Sequence, residues 1–244
     1  MGVTHVLRGE DLLSSTPRQI ALYNAMFEAG ITKFIPQFGH LPYVMGDGNK
    51  KLSKRDPQAN LFHHRDRGFI PEGLLNYLAL LGWGLSADQD IFTMDELAAA
   101  FDVTNVNPNP ARFDQKKADA INAAHIRLLT IEDFKQRLLP YLQSAGVVGA
   151  TLSAAEQQIL DAAAPLIQER LVVLSEAPDL LSFLFKTAEQ ITIEADALDG
   201  MPENVGEVLT AAISALNEIA DAEFKTEPVQ SALNHALIEV LGLK

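Results

Sequence analysis

The spacing of apolar side chains divides the chain into a short α/β segment and a longer helical stretch. Residues 4–8 (THVLR) are typical of a short strand that ends in polar residues, and apolar positions at helical spacing follow across 20–27 until Gly30. A second strand-like run lies at 38–45. Strand, helix and strand in this order predict an α/β unit with a parallel sheet.

Beyond this unit the pattern becomes helical and stays so to the end of the chain. Residues 71–81 are apolar nearly all round, which predicts a buried helix. Thr93 with Glu96, and Ser153 with Glu156, have the three-residue spacing of a capping box and predict helix starts. The later helices are expected to pack antiparallel through short loops.

Composition excludes several classes of protein. The chain has 244 residues and is 48% hydrophobic, which is too apolar for a disordered chain and sufficient for one large or two small cores. Cysteine is absent, so disulfides, thiolate zinc sites and cysteine nucleophiles are excluded. No run of about 18 apolar residues predicts a membrane span, and the N-terminus lacks a signal pattern. We therefore expect a cytoplasmic protein that has no membrane partner.

The charge is strongly negative but unevenly distributed. The formal net charge is −13, which argues against a nucleic-acid partner because RNA- and DNA-binding domains are usually basic. Residues 1–122 contain 12 Lys and Arg against 14 Asp and Glu, whereas residues 123–244 contain 7 against 18. The acidity therefore belongs mainly to the C-terminal half, and any RNA contact is expected at small basic sites.

One basic segment lies in the first half. Residues 50–67 contain six Lys and Arg but only two Asp. Its most informative part is the sequence KLSKR at 51–55, which follows a glycine-rich turn and places two lysines three residues apart. Such ammonium groups can bracket a polyphosphate. As spacing alone the pattern is weak, and a solvated surface loop is the alternative interpretation.

Several short motifs occur in order along the first 128 residues. They are RGED at 8–11, STPRQ at 15–19, HLP at 40–42, KLSKR at 51–55, LLNYLALLGW at 74–83 and FDQKK at 113–117. In order and spacing this set resembles bacterial glutamyl-tRNA synthetase, a class I aminoacyl-tRNA synthetase. The helical remainder fits the architecture of that family with weaker sequence marks.

The resemblance implies a mostly α-helical protein with three parts. Residues 1–58 would be the C-terminal part of a class I α/β nucleotide-binding core, 59–128 a stem-contact region and 129–244 a truncated α-helical anticodon-binding bundle. The family activates glutamate with ATP and Mg²⁺ and transfers it to the 3′ end of tRNA(Glu). The implied partners are therefore tRNA(Glu), glutamate and ATP, without DNA and without zinc or another protein-bound metal.

The resemblance also assigns site residues. KLSKR matches the second ATP signature of the family, so Lys54 would contact the phosphates with the help of Lys51, while Ser53 and Arg55 would shape the loop. Arg8 matches an arginine of the glutamate and ATP pocket, since a carboxylate is bound well by a fixed guanidinium fork. A pair with Glu10 or Asp11 is the structural alternative for Arg8.

Other polar residues receive weaker assignments. Arg170 matches, in a loose alignment, an arginine that inspects the anticodon, and a local pair with Glu169 is equally compatible with the sequence. His40 is interpreted as a packing or hydrogen-bonding residue. His63 and His64 lack metal-ligand spacing and are expected at the surface.

The first ATP signature of the family, of the HIGH type, does not occur in the sequence. We therefore expect an internal fragment that does not charge tRNA alone, and robust ATP–pyrophosphate exchange by this chain would contradict that expectation. Residues 1–50 are expected to expose apolar surface and to self-associate or be disordered.

Three alternative functions fit the sequence less well. A tRNA-modifying glutamyl transferase lacks the long helical tail, and glutaminyl-tRNA synthetase has a β-barrel-rich C-terminal half. An acidic helical tRNA- or protein-binding module without a catalytic role explains the charge of the C-terminal half but not the ordered N-terminal motifs. Whether the whole enzyme also charges tRNA(Gln) does not follow from the sequence.

Overall fold

The computed structural model describes residues 2–46, 50–53, 55–192 and 203–243. The chain divides into two compact units, Met1–Lys186 and Thr187–Lys244. Helices dominate both units, as the sequence predicts. Among the described residues, no helix combines the length and the apolar character that crossing a bilayer requires.

The first unit begins with the predicted strand–helix–strand segment. Strands β1 (His5–Gly9) and β2 (Gln37–Leu41) pair in parallel around helix α1 (Thr16–Glu28). Gly30 ends α1 with a φ of 71°, a conformation that glycine adopts without steric cost. The predicted α/β unit with parallel strands is confirmed.

Much of the apolar surface of this segment faces solvent, as the sequence predicts. The exposed large apolar side chains of the segment include Val3, Leu7, Leu12, Leu13, Leu22, Phe27, Ile31 and Phe34. Single exposed apolar residues are common, but so many within 35 residues form a surface that folded proteins usually cover. Self-association through this surface stays a prediction.

The middle of the first unit is built on a second parallel pair. Strands β3 (Val44–Met45) and β4 (Ala111–Arg112) bring the segment before KLSKR against the chain that precedes helix α5. The helices of this part are α2 (Leu61–Asp66), α3 (Pro71–Leu80), α4 (Met94–Ala100) and α5 (Gln115–Leu128).

Helix α3 packs through one face only. Tyr77 is 2% exposed and meets Phe113 edge to face at a ring-centroid distance of 5.1 Å. Leu75 and Leu78 on the same helix are exposed. The predicted buried helix is therefore buried on one face and exposed on the other, and Trp83 just beyond the helix is buried.

The helical part of the first unit surrounds the larger of its two cores. Its helices are α6 (Ile131–Ser144), α7 (Ala154–Gln168) and α8 (Ala177–Leu181). Fully buried side chains such as Phe134, Leu138 and Leu171 fill the space between them. Ser153 and Glu156 form the predicted capping box at the start of α7, and Thr93 and Glu96 form the one that opens α4.

A bidentate ion pair joins α3 to α6. The guanidinium of Arg137 donates to both carboxylate oxygens of Glu72, at 2.7 and 2.9 Å, and also to Asp133. The hydrogen bonds from Arg137 hold the pKa of the Glu72 carboxyl below its ordinary value. This geometry fixes the start of α3 against the middle of α6.

The second unit is smaller and consists of helices α9 (Val205–Asn217) and α10 (Thr226–Leu233), followed by a π-helix at Asn234–Val240. Its large apolar residues are only partly covered; Leu209 and Ile213 on α9 are both exposed.

Buried His125 makes the stability of the first unit depend on pH. Its Nε2 lies 2.7 Å from Oδ1 of Asn76, which also accepts a hydrogen bond from the backbone of Phe92. Desolvation lowers the pKa of His125, and this effect exceeds the opposing field of Glu72. The unfolded chain therefore takes up a proton more readily than the fold does.

The unfolded pKa of histidine is about 6.5. The free energy of unfolding is thus expected to fall as the pH drops below that value, because the unfolded chain then binds a proton that the folded His125 does not. Urea unfolding at pH 7.5 and 5.5 measures the loss. His125→Gln keeps a donor to Asn76 and should reduce this pH dependence, while His235→Gln, a change at an exposed position of the second unit, should leave it intact. An equal pH dependence in wild type and His125→Gln would contradict the assignment.

Candidate active site

The KLSKR segment leaves β3 through a closed backbone loop. The amide of Gly46 donates to the carbonyl of Lys50, and the amide of Leu52 donates to that of Val44, both at 2.8 Å. Lys51 also forms an isolated antiparallel bridge with Met45. KLSKR therefore begins beside β3, while residues 47–49 of the predicted turn lie outside the described residues.

Ser53 and Asp56 fold the second half of the loop. The carboxylate of Asp56 accepts a hydrogen bond from the amide of Ser53 at 2.6 Å, and the amide of Asp56 donates back to the carbonyl of Ser53 at 3.0 Å. The Ser53 hydroxyl accepts from the amide of Arg55 at 3.2 Å. Ser53 thus shapes the loop through its backbone and its side chain.

Lys51 is held by two neighbours but remains half exposed. Its Nζ lies 3.2 Å from Oδ2 of Asp11 and 4.1 Å from the ring centroid of Tyr43. An exposed ion pair of this kind contributes about 0–1 kcal/mol, so a more highly charged anion can replace the carboxylate. Arg55 is exposed in the same loop. The predicted phosphate ligand Lys54 lies outside the described residues.

A cavity of about 520 Å³ lies beside the loop. Its lining combines the loop with α2 and the first residue of α5: Gly46, Lys50, Lys51, Ser53, Asp56, Pro57, Gln58, His63, Arg67 and Gln115. The basic groups among them give it a chemistry suited to phosphate groups. The structure thus brings Lys51 and Ser53 together at one cavity.

Arg8 lies at the paired ends of β1 and β2. It is opposite His40 in the strand register, and its Nε donates to Nε2 of His40 at 3.3 Å. One Nη donates to the Thr16 hydroxyl at 2.7 Å and to the carbonyl of Leu12 at 3.3 Å. The guanidinium also lies 5.5 Å from the ring centroid of Phe38.

These contacts leave part of the Arg8 guanidinium available. Within the described part of the chain, Nη1 of Arg8 makes no hydrogen bond, whereas Nε and Nη2 are engaged. His40 Nε2 also lies 2.9 Å from the Thr16 hydroxyl. His40 is therefore a hydrogen-bonding residue that helps to orient Arg8, in agreement with its interpretation from the sequence.

Arg170 lies just beyond the end of α7 and is exposed. Its sequence neighbour Glu169 is engaged with Arg127 instead, through its carbonyl at 3.2 Å and its carboxylate at 3.6 Å. Among the described residues no carboxylate lies within ion-pair distance of Arg170. Its guanidinium is therefore accessible to a ligand.

The sequence interpretation missed two features, one in the cavity wall and one behind it. Arg67 pairs with Asp119, which lies 52 residues away, at 3.3 Å, and Gln115 donates to the same carboxylate at 2.7 Å. His64 is only 3% exposed and lies between Phe69 and Phe113. The expectation that His64 is a surface residue is wrong, because aromatic groups distant in the sequence cover it.

No cluster of three or more His, Cys, Asp or Glu side chains suited to a metal occurs in the described ranges. Among the charged side chains that line the cavity, Lys50, Lys51 and Arg67 outnumber the one carboxylate, Asp56. Their chemistry suits an anion.

Comparison with known proteins agrees with this geometry. Residues 1–120 match the catalytic domain of class I tRNA synthetases (E and Q), and residues 131–244 match an anticodon binding domain. The glutamate–tRNA ligases of Leifsonia xyli and Paenarthrobacter aurescens are 62% and 61% identical over the whole chain. The chain spans about half the length of these curated relatives, 50% and 48% respectively.

Solved structures show the same likeness. The structure of a glutamate tRNA ligase from Elizabethkingia meningosepticum in complex with its amino acid superimposes with a TM-score of 0.73 and 26% identity. It covers 99% of this chain, which corresponds to 48% of that protein. A glutamate-tRNA synthetase from Elizabethkingia anophelis gives a TM-score of 0.70. Profiles, identity and fold agree, and the chain belongs to the class I tRNA synthetase family of glutamate–tRNA ligases.

Proposed function

We propose that this chain supplies the ATP-signature loop and the anticodon-binding region of a glutamate–tRNA ligase. That enzyme activates glutamate with ATP as an adenylate and transfers it to the 3′ end of tRNA(Glu). The observation that carries the proposal is the 62% identity to a glutamate–tRNA ligase over all 244 residues. Because the chain spans half of that relative, the activity is assigned to a longer protein, and this chain alone is expected to lack it.

The signature loop would act on the leaving pyrophosphate. When the glutamate carboxylate attacks the α-phosphorus of ATP, negative charge builds up on the departing phosphates, and fixed cations stabilise it. Lys51 and Lys54 would provide that charge. The exposed Lys51–Asp11 pair supports this role, because Lys51 can exchange Asp11 for phosphate at little cost. Ser53 and Arg55 would keep the loop in shape.

Arg8 would bind a carboxylate or phosphate oxygen in the glutamate and ATP pocket. Its Nε and Nη2 are fixed by His40 and Thr16, which orients the remaining Nη1. A guanidinium that is already oriented loses less conformational entropy on binding than a freely rotating one.

Magnesium would arrive with the nucleotide. Mg²⁺ in ATP-dependent enzymes keeps several waters and takes ligands mainly from phosphates and one or two carboxylates. Among the described residues, Asp11 and Asp56 are carboxylates that contact the signature loop. When bound, the ion would neutralise phosphate charge; no zinc is proposed.

The RNA would lie along the remaining parts of the chain. We assign residues 1–58 to the catalytic core, 59–128 to stem contact and 129–244 to anticodon binding. Arg170 would contact an anticodon base, since an exposed arginine can hydrogen-bond base edges in unpaired RNA. Aminoacylation for protein synthesis places the enzyme in the cytoplasm.

The alternative is an acidic helical module that binds RNA or protein without a catalytic role. The charge of residues 123–244 favours it. The family match of residues 1–120 to a catalytic domain favours the ligase.

Binding of tRNA(Glu) to this chain is expected to be weak and sensitive to salt. With two or three phosphate contacts, affinity should fall roughly ten- to fortyfold between 50 and 200 mM salt. Fluorescence anisotropy with tRNA(Glu) and an unrelated tRNA measures both affinity and preference.

Arg170→Ala should reduce the preference for tRNA(Glu), whereas Arg18→Ala, which removes the same charge from exposed α1, should not. Absence of RNA binding at low salt would contradict the assignment of the anticodon region and favour a protein-binding module.

A further inference from the structure

We propose that His64 is a positioning residue for the signature loop, KLSKR at 51–55. It would hold the segment that follows this loop by a hydrogen bond to the backbone carbonyl of Gln58. The inference rests on the proposed function, because it gives the loop a task that requires a defined position. His64 lies in α2, outside the KLSKR motif, and its side chain is 3% exposed.

The geometry of the imidazole defines its task. Nε2 of His64 lies 2.9 Å from the carbonyl oxygen of Gln58. A carbonyl can only accept a hydrogen bond, so Nε2 must carry the proton and donate it. Nδ1 is buried and has no hydrogen-bond partner in the described part of the chain.

The surroundings of the ring would suit an apolar side chain better. Phe69 and Phe113 pack against it at ring-centroid distances of 5.2 and 6.0 Å. A buried nitrogen without a partner is destabilising, and a phenylalanine or leucine in the same place would avoid that cost. What the imidazole adds over an apolar ring is the hydrogen bond to Gln58.

Gln58 connects the hydrogen bond from His64 to the signature loop. It lies in the 3-10 turn Pro57–Ala59 and lines the cavity together with Lys51 and Ser53. The turn follows Asp56 directly, whose carboxylate holds the amide of Ser53 at 2.6 Å. A fixed Gln58 therefore fixes the residue that folds the loop.

Limited trypsin digestion of the full chain tests this task, because Lys50, Lys51, Lys54 and Arg55 are cleavage sites within the loop. His64→Phe fills the space between Phe69 and Phe113 but removes the hydrogen-bond donor. Cleavage in the loop should then become roughly fivefold faster, which corresponds to the loss of one neutral hydrogen bond. His64→Gln retains a donor and should digest nearly as wild type. Mass spectrometry assigns the sites, and cleavage at Lys225 in the second unit serves as the reference.

His235→Phe is the matched control, since His235 is exposed in the second unit. Loop cleavage of His64→Phe at the wild-type rate would overturn the proposal, as would equal acceleration in His64→Phe and His64→Gln. Digestion with and without ATP and Mg²⁺ tests the proposed function separately: ATP should slow loop cleavage in wild type. Failure of that protection counts against the nucleotide site and leaves the comparison of the His64 variants valid.

If His64→Phe does not fold, a measurement on the wild-type protein tests the proposal. Long-range ¹H–¹⁵N spectra of the histidine rings should show His64 with its proton on Nε2. A proton on Nδ1 with a bare Nε2 would overturn the proposal, because such a ring has no hydrogen to give to Gln58.

Discussion

Gly68→Ala is expected to lower the free energy of unfolding of the first unit by roughly 3 kcal/mol or more. Gly68 has a φ of 88°, and a Cβ there would lie 2.5 Å from the backbone nitrogens of both Leu174 and Ser175. These are backbone atoms held by the turn, since the amide of Leu174 donates to the carbonyl of Gly68 at 3.0 Å. The clash would therefore separate α2 from the helical core.

Gly30→Ala is the matched control. Gly30 also has a positive φ, of 71°, but a Cβ there would meet nothing within 4 Å. Its cost is the backbone strain alone, about 1–2 kcal/mol. Guanidinium unfolding of both variants measures the difference in the free energy of unfolding. Equal losses in the two variants would contradict the expected clash between the new Cβ at position 68 and the backbone of Leu174.

Lys54→Ala and Lys51→Ala are expected to slow glutamate activation about 100-fold each in a ligase that contains this chain. The expectation follows from the loss of a fixed cation at the leaving pyrophosphate. The test protein is a chimera in which this chain replaces the matching half of the Leifsonia xyli ligase, to which it is 62% identical.

The readout is ATP–pyrophosphate exchange by the chimera. Lys33→Ala is the control, because Lys33 is exposed and lies outside the cavity lining. Unchanged exchange in Lys54→Ala would contradict the assignment of KLSKR as the ATP loop.

Features set by neighbouring residues could be predicted from the sequence. The capping boxes at Thr93 and Ser153 need only a carboxylate three residues later, and both form as expected. The end of α1 at Gly30 depends on a single residue that tolerates a positive φ. The order of strand, helix and strand in the first segment followed from local residue patterns and turn residues such as Gly30.

Features that depend on distant partners could not be predicted. His64 reads as polar within a basic run, yet Phe113, 49 positions later in the chain, helps to bury it. Arg67 stands in the sequence only as one of the basic residues of 50–67, and the fold places Asp119 beside it. Leu75 lies in an apolar stretch, and only the packing of α3 shows that it faces solvent.

The candidate site likewise combines features that the sequence predicts with features that depend on distant residues. That Lys51 and Ser53 share a loop is visible in the sequence, but the ion pair with Asp11 crosses 40 residues. The network of Arg8 required the parallel register that sets it opposite His40. The resemblance of the motifs pointed to the chemistry, and the fold supplied the partners.

Charging of tRNA(Glu) with glutamate by the unmodified chimera tests the central claim most directly. If this chain carries the ATP loop and the anticodon-binding region, the chimera should attach glutamate to tRNA(Glu), while the chain alone should show neither exchange nor charging. A folded chimera that fails to charge tRNA(Glu), or robust exchange by the chain alone, would contradict the account.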